Sequence, residues 1–274
     1  MVKPGDRKNI AAYLEDTHQV SVTRACKVVG LPKSMYYYQS VKDDTEVINK
    51  LTVLAELKPT RGFPYYYRRI RNEGIVWNHK RVKRVYDKLK LNLRRKRKRR
   101  LPQRLKGTLC QPMNINLTWS MDFMHDTLTN GRKIRVLNII DDYNREALAI
   151  QADYSHSGYS VVKTIAQVSE WRGKPTEIRC DNGPEFLSQV LVAYCNNNGI
   201  ALKYIQPGKP TQNAYIERFN RSFREDILDA YLFESMYQLR EKCQKWMIEY
   251  NELHPHKSLN NMSPLKYLEN NYYI

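Results

Sequence analysis

Apolar positions along the chain fall into distinct textures. Up to about residue 93 they recur every three to four positions, the period of short amphipathic helices. One helix begins in Ile10-Ala11-Ala12-Tyr13-Leu14, and Ser21 is positioned to cap a second over residues 22–29. Gly30-Leu31-Pro32 then turns the chain, and Ser34 opens a third helix carrying Tyr36, Tyr37 and Tyr38. Helix, tight Gly-containing turn and helix is the layout of a helix-turn-helix. A second such unit follows, with residues 65–72 helical, Gly74 as a stop, Asn78 as a cap and residues 79–90 helical. On that last helix Val82, Val85, Tyr86 and Leu89 share a face, while Lys80, Arg81, Lys83, Arg84 and Lys88 occupy the rest.

From about Asn114 the pattern becomes α/β. Residues 117–123, 133–141 and 147–152 are rich in β-formers and read as three strands, the first two joined through Thr129-Asn130-Gly131. A helix over 160–171, a strand over 176–180, a helix over 185–197 and a strand over 201–205 follow. After a Pro/Gly loop comes a long helix from about 211 to 230, with Ile216, Phe219, Phe223 and Ile227 as its core stripe. Glu217, Arg218, Arg221 and Arg224 lie outside that stripe. Three strands followed by alternating helix and strand describe a five-stranded mixed sheet with helices on its faces. An amphipathic helix over 236–250 and a Pro-containing tail complete the chain. The expected divisions are a helix-turn-helix-like module at 1–43, a second helical module at 44–93, a basic linker at 94–113, the α/β domain at 114–230 and a C-terminal helix and tail at 231–274. Trp119 and Trp171 are assigned to the core.

Charge sharpens the picture because it is so unevenly placed. The 274 residues carry 46 Lys+Arg against 28 Asp+Glu, a net +18. Between Lys58 and Lys106 stand 20 cations and two carboxylates, Glu73 and Asp87, so the rest of the chain is neutral. Arg94, Arg95, Lys96, Arg97, Lys98, Arg99 and Arg100 are consecutive cations, a block that repels itself and reads as an extended linker. Following basic helices, it is assigned to lie along phosphates, and the concentrated excess points to a polyanion partner. The first residues contain no apolar run, so no secretory leader is expected, and no stretch approaches a membrane span. Five cysteines, at least fifteen positions apart, make neither a disulfide framework nor a CxxC zinc site and fit a reducing cytoplasm. A 42% hydrophobic content excludes wholesale disorder.

Three carboxylates stand out by position. Asp122 interrupts the first strand pattern, Asp181 directly follows the fourth strand before Asn182-Gly183-Pro184, and Glu217 is on the long helix, with 35 residues between it and Asp181. The spacing alone decides nothing, because 13 Asp and 15 Glu make it common and Asp141 with Glu177 repeats it. Topology is more informative, since sites in open sheets collect beyond strand ends and a neighbouring helix can bring a carboxylate over that edge. Three carboxylates without cations repel one another unless a divalent metal neutralises them, and hard oxygen ligands select Mg²⁺ or Mn²⁺. Two such ions ~3.5–4 Å apart activate a nucleophile and stabilise a leaving oxygen in phosphodiester displacement. The bland alternative is that Asp122 and Asp181 cap turns and Glu217 pairs with Arg221 one turn on. Asp141 and Asp142 read as turn residues or partners of Arg145, and Asp126 as a weaker second ligand on the face of Asp122. Glu185 reads as a first-turn helix residue, His254-Pro255-His256 as a loop, and the tyrosine triplets at 36–38 and 65–67 as half core, half surface.

The contexts Trp119-Ser120-Met121-Asp122-Phe123, Arg179-Cys180-Asp181-Asn182-Gly183-Pro184-Glu185-Phe186 and Asn213-Ala214-Tyr215-Ile216-Glu217-Arg218-Phe219-Asn220 resemble the D,D(35)E signature of transposases and retroviral integrases. Residues 139–146, 206–213 and 250–259 narrow the resemblance to the bacterial insertion-sequence family called IS-three, and residues 24–38 and 78–82 are similar to its helical modules. The resemblance implies an RNase H-like catalytic fold in an OrfB-type, second-frame protein. It further implies that Asp122, Asp181 and Glu217 hold Mg²⁺ or Mn²⁺, with two ions expected. Water would attack at the transposon end, and the 3′-hydroxyl released would attack another phosphodiester. Lys209, Gln212, Asn213, Arg218 and Arg221 border Glu217 and are candidates for holding DNA, together with Lys80, Arg81, Arg84 and the block from Arg94 to Arg100. The implied partners are double-stranded DNA at transposon ends and target, further copies of the chain, and an upstream-frame protein of the same element. No heptad segment follows Met1, so the sequence reads as the catalytic portion alone. One departure is His254, where the family tail motif usually has Arg. The rival expectation is a non-catalytic DNA-binding regulator or a truncated remnant.

Overall fold

A computed structural model describes residues 4–39, 43–93, 111–206 and 213–272. The cation block from Arg94 to Arg100, and Lys209 and Gln212, lie outside the described residues. The chain forms two compact units, residues 1–46 and 47–274.

In the first unit α1 (Pro4–His18), α2 (Val22–Val29) and α3 (Lys33–Tyr37) enclose Ala11, Ala25, Cys26 and Leu31. The turn after α2 forms where expected: Gly30 takes φ 63°, and its N–H donates to the carbonyls of Cys26 and Lys27. Pro32, not Ser34, holds the cap position of α3, because its carbonyl accepts from the Met35 and Tyr36 N–H groups.

α4 (Thr45–Leu57), a helix that the sequence pattern does not announce, lies in the second unit from Val47 onwards and is followed by α5 (Phe63–Asn72) and α6 (His79–Lys88). Val47, Leu51, Leu54, Tyr66, Ile70, Val82, Val85 and Tyr86 form their shared core. Asn78 caps α6 as expected, its side chain accepting from the Lys80 backbone N–H at 2.8 Å.

The remainder is built on a mixed sheet in the order β3-β2-β1-β4-β5. β1 (Thr118–Thr127), β2 (Lys133–Asp141) and β3 (Ala147–Asp153) are antiparallel neighbours, while β4 (Glu177–Cys180) and β5 (Ala201–Tyr204) run parallel to β1. Alternation along the strands sends side chains to two different cores. Trp119, Met121, Leu137, Ile139 and Ile178 pack with α7 (Gly158–Arg172) and α8 (Gln189–Asn197). Met124, Val136 and Ile140 pack with α9 (Ala214–Phe223) and α10 (Met236–Leu253), through Ile216, Phe219, Phe223, Trp246 and Tyr250. Asp122 shares the parity of Met124 and so faces α9.

Several expectations need correction. The helix expected over 185–197 begins only at Gln189, because Ser188 caps it. The helix expected to about 230 loses α-helical register after Phe223 and continues as a π-helical turn, Arg224–Leu228. That turn brings Asp226, Ile227 and Leu228 inward together. Trp171 is 61% exposed rather than core, while Trp119 is fully buried. The tail contains a further helix, α11 (Pro264–Tyr272). α10 shares one core with α9 and the sheet, and the helices of residues 47–93 belong to the same compact unit.

Candidate active site

Parallel pairing aligns Thr118 with Glu177, Trp119 with Ile178 and Ser120 with Arg179. Carried forward in the same register, that alignment sets Asp122 beside Asp181, the first residue past β4. The antiparallel register places Asn138 directly opposite Asp122 on the other side. α9 lies over this face and carries Glu217 in its first turn.

Each carboxylate is held by its own local chemistry. Asp122 accepts from the Phe123 backbone N–H at 2.9 Å and from Asn220 Nδ2 at 2.7 Å. Asp181 accepts from the Gly183 N–H at 2.9 Å, the turn that follows naturally from Asp-Asn-Gly. Burial pushes the Asp122 carboxyl up to about 6; the negative charges of Asp181 and Glu217 add to this, and hydrogen bonds from Phe123 and Asn220 oppose it. Asp122 therefore feels the charge of both other expected residues. Neighbouring Cys180 is buried, its thiol pushed up to about 12, so it is not a nucleophile here.

The pair with the same spacing behaves differently. Asp141 accepts from the Asn116 and Tyr143 N–H groups at 2.9 Å each and faces Arg172 at 3.7 Å. Glu177 is paired with Lys203 and, at 3.4 Å, with Arg179. Both are neutralised by cations, whereas among the described residues no ion pair joins Asp122, Asp181 or Glu217 to a Lys or Arg. Uncompensated carboxylate oxygens of this kind suit a hard divalent cation by donor chemistry. Among the described residues no group of three His, Cys, Asp or Glu side chains meets the arrangement of a metal site, so the fit rests on donor chemistry.

The remaining candidates sort by their neighbours. Asp142 pairs with Arg179 at 2.9 Å, so the turn reading of residues 141–142 holds while their expected partner changes. Arg145 instead lies over the Tyr215 ring, 3.4 Å from its centroid. Asp126 faces Arg224 at 3.6 Å. Glu185 precedes α8 and pairs with Arg135, whose guanidinium sits 4.2 Å over Phe123 and holds the Glu185 carboxyl below its usual range. His254 and His256 are buried against Tyr250, and burial with Arg145 and Arg218 nearby pushes His256 down to about 3. Of the candidates for holding DNA, Lys80 and Arg84 are exposed and Arg81 half-buried on α6; Arg218 and Arg221 are exposed on α9; Asn213 is buried at the start of α9. Sequence reasoning missed Asn138 and Asn220, although an Asn amid apolar residues of a central strand is a visible signal.

Two family models described as "Integrase core domain" match this chain, over residues 114–210 and 198–264. The "Insertion element IS407 uncharacterized 31.7 kDa protein" of Burkholderia multivorans is 38% identical over 250 residues, 90% of each chain. The "Insertion element IS476 uncharacterized 39.2 kDa protein" of Xanthomonas euvesicatoria is 36% identical over 266 residues, 96% of this chain and 77% of that one. Among solved structures, a chain of a simian T-cell lymphotropic virus intasome in complex with PP2A regulatory subunit B56 gamma superposes with a TM-score of 0.50 at 17% identity. That match covers 61% of this chain and 59% of the other, and it supports the RNase H-like fold. Among the described residues no helix is long and apolar enough to cross a membrane.

Proposed function

The chain belongs to the integrase-core transposase family of bacterial insertion elements, and from that premise we propose that it cuts and rejoins DNA at the ends of such an element. The observation carrying this reading is the contrast between two carboxylate sets of equal spacing. Asp141 and Glu177 are paired with cations, while Asp122, Asp181 and Glu217 share one sheet face without any among the described residues. A structural triad would gain from cations of its own; a triad left negative is suited to receive them.

Asp122, Asp181 and Glu217 would close on two divalent ions, Mg²⁺ or Mn²⁺. Bound there, such ions would activate a hydroxyl and stabilise the leaving oxygen. In the first step the water oxygen bonds to phosphorus, the bond from phosphorus to the 3′-oxygen breaks, and the element is left with a 3′-hydroxyl. In the second that hydroxyl attacks another phosphodiester, exchanging one P–O bond for another, so neither ATP nor a covalent protein intermediate is needed. Arg218 and Arg221, exposed on α9 beside Glu217, would hold the scissile strand by its phosphates. Lys80, Arg81 and Arg84 on α6, with the block from Arg94 to Arg100, supply salt-sensitive attraction for duplex DNA. Two ends must meet for joining, so the protein would work as an oligomer on DNA, alone or with the upstream-frame product.

The test uses end-labelled duplexes carrying the sequences that border the coding region, incubated with Mg²⁺, Mn²⁺ or EDTA. A defined new 3′ end and a joined product, both absent in EDTA, are expected. Specific binding without metal-dependent strand chemistry, with and without the upstream-frame product, would favour a DNA-binding regulator.

A further inference from the structure

Asn138 is fully buried at the centre of β2, on the face it shares with Val136 and Ile140. An apolar side chain is the ordinary occupant of such a place, because a buried amide is costly unless its hydrogen bonds are met. Asn220 is also buried, three residues beyond Glu217 on α9, hence one turn along the same helix. Asn138 Nδ2 donates to Asn220 Oδ1 at 2.7 Å, and Asn220 Nδ2 donates to Asp122 Oδ2 at 2.7 Å. The relay thus runs from β2 through α9 to β1.

Its direction follows from chemistry. An ionised carboxylate can only accept, so Asn220 must turn its NH₂ towards Asp122. Its oxygen is then left facing Asn138, which must offer its own NH₂. The charge on Asp122 therefore fixes both amides. Asn138 Oδ1 is buried with no partner, an unmet acceptor that an apolar pair would not carry. An interior selected for stability alone would not keep this pair.

We propose that Asn220, oriented by Asn138, is a positioning residue that holds the Asp122 carboxylate in fixed relation to the Glu217 helix, so that one divalent cation can be shared between them. The inference rests on the metal-holding role given above to Asp122, Asp181 and Glu217. Glu217 and Asn220 ride on one helix turn, so the bond from Asn220 links the height and rotation of that turn directly to Asp122. The other Asp122 oxygen is tied to the Phe123 N–H, so two bonds from different elements fix the plane of the carboxylate.

The experiment compares full-length wild type with Asn220→Leu, Asn138→Leu, the double variant and Asp181→Asn. Mn²⁺ affinity is read by electron paramagnetic resonance of the free ion, and folding by thermal unfolding of the same samples. Asn220→Leu should weaken Mn²⁺ binding about tenfold or more, the range for groups that orient metal ligands, and Asn138→Leu by roughly threefold. The double variant should bind no more weakly than Asn220→Leu alone, because Asn138 acts only through Asn220. It should also unfold at a higher temperature than Asn220→Leu alone, which leaves the buried Asn138 amide without its acceptor, and strand cleavage by Asn220→Leu should recover at saturating Mn²⁺. Wild-type binding that Asp181→Asn abolishes but Asn220→Leu leaves within twofold would refute the relay. Wild type that binds Mn²⁺ no better than Asp181→Asn would refute the metal-holding triad itself, and the relay with it.

Discussion

Asp226 projects inward from the π-helical turn with its side chain 1% exposed. It accepts from Lys58 Nζ at 3.3 Å, Arg61 Nε at 3.2 Å, Arg61 Nη2 at 2.9 Å and Trp246 Nε1 at 3.1 Å. Lys58 and Arg61 come from the segment between α4 and α5, so this one carboxylate ties the basic helices to the sheet domain. Asp226→Asn keeps the shape, removes the charge and turns an NH₂ towards groups that are themselves donors. Among the described residues Lys58, with its side chain 7% exposed, would keep only the Glu249 carboxylate, at 3.4 Å. Breaking a buried ion pair on one side costs about 3–5 kcal/mol, because the abandoned cation remains desolvated. For a unit of this size about 1 kcal/mol moves the thermal midpoint by roughly 2–4 °C, so a drop of about 6–20 °C is expected. Circular dichroism melting of full-length protein reads this, and Lys58→Met in the Asp226→Asn background should restore part of the loss. A midpoint within about 3 °C of wild type would mean that the remaining contacts, the Glu249 pairs with Lys58 and Arg69 among them, dock the helices without Asp226, and the reasoning would fail.

Other consequences are open to measurement. A Cβ at Gly158 would lie 2.0 Å from Ser188 Oγ and 2.6 Å from Ser188 Cβ, so Gly158→Ala should cost about 1–3 kcal/mol in denaturant unfolding. Ser188→Ala would not rescue it, since the Cβ overlap remains; a neutral Gly158→Ala would contradict this close approach of α7 and α8. His256 is held near 3, well below its unfolded value of about 6.5, so the unfolded chain takes up a proton first as pH falls. Its contribution is therefore lost from about pH 6.5 downwards, by about 1.4 kcal/mol per pH unit, and His256→Gln should flatten the pH dependence of stability by one proton between about pH 6 and 5. Asp122 and Asp142, both raised to about 6, act in the opposite sense, so the wild-type minus variant difference is the quantity to plot. An unchanged slope would mean that His256 titrates freely. Neutralising Arg94 to Arg100 should reduce the log–log salt slope of DNA affinity by roughly 0.9 for each phosphate that no longer meets a cation, and an unchanged slope would assign that block to solvent.

Local patterning makes the sheet legible. The 133–141 strand is expected and observed with the same limits, because Ile134, Val136, Leu137, Ile139 and Ile140 are concentrated between a Gly turn and an acidic one. Ile216, Phe219, Phe223 and Ile227 fall on one stripe of the pattern, and all four are buried. What escapes depends on pairings between distant residues. The π-helical turn arises where Asp226 must meet Lys58 and Arg61, which no helical period reports. Trp171 ends its helix on the solvent side, although its residue type favours the interior. The candidate triad is visible as motif and topology, but spacing alone cannot separate it from Asp141 and Glu177. That distinction needs the cations of Arg172, Arg179 and Lys203, which only folding brings to the second pair. The amides of Asn138 and Asn220 lie 82 residues apart and acquire their meaning only through Asp122.

On the proposed function the uncompensated set would perform strand chemistry and the cation-paired set would not. Asp122→Asn, Asp181→Asn, Glu217→Gln and Glu177→Gln would be compared with wild type on labelled element-end DNA in Mn²⁺, measuring binding and product in the same reactions. Wild type and Glu177→Gln should both yield the new 3′ end and the joined strand. The three triad variants should bind within a few-fold and lose both products. Product from any triad variant at the wild-type level, or its loss in a folded, DNA-binding Glu177→Gln, would contradict the assignment.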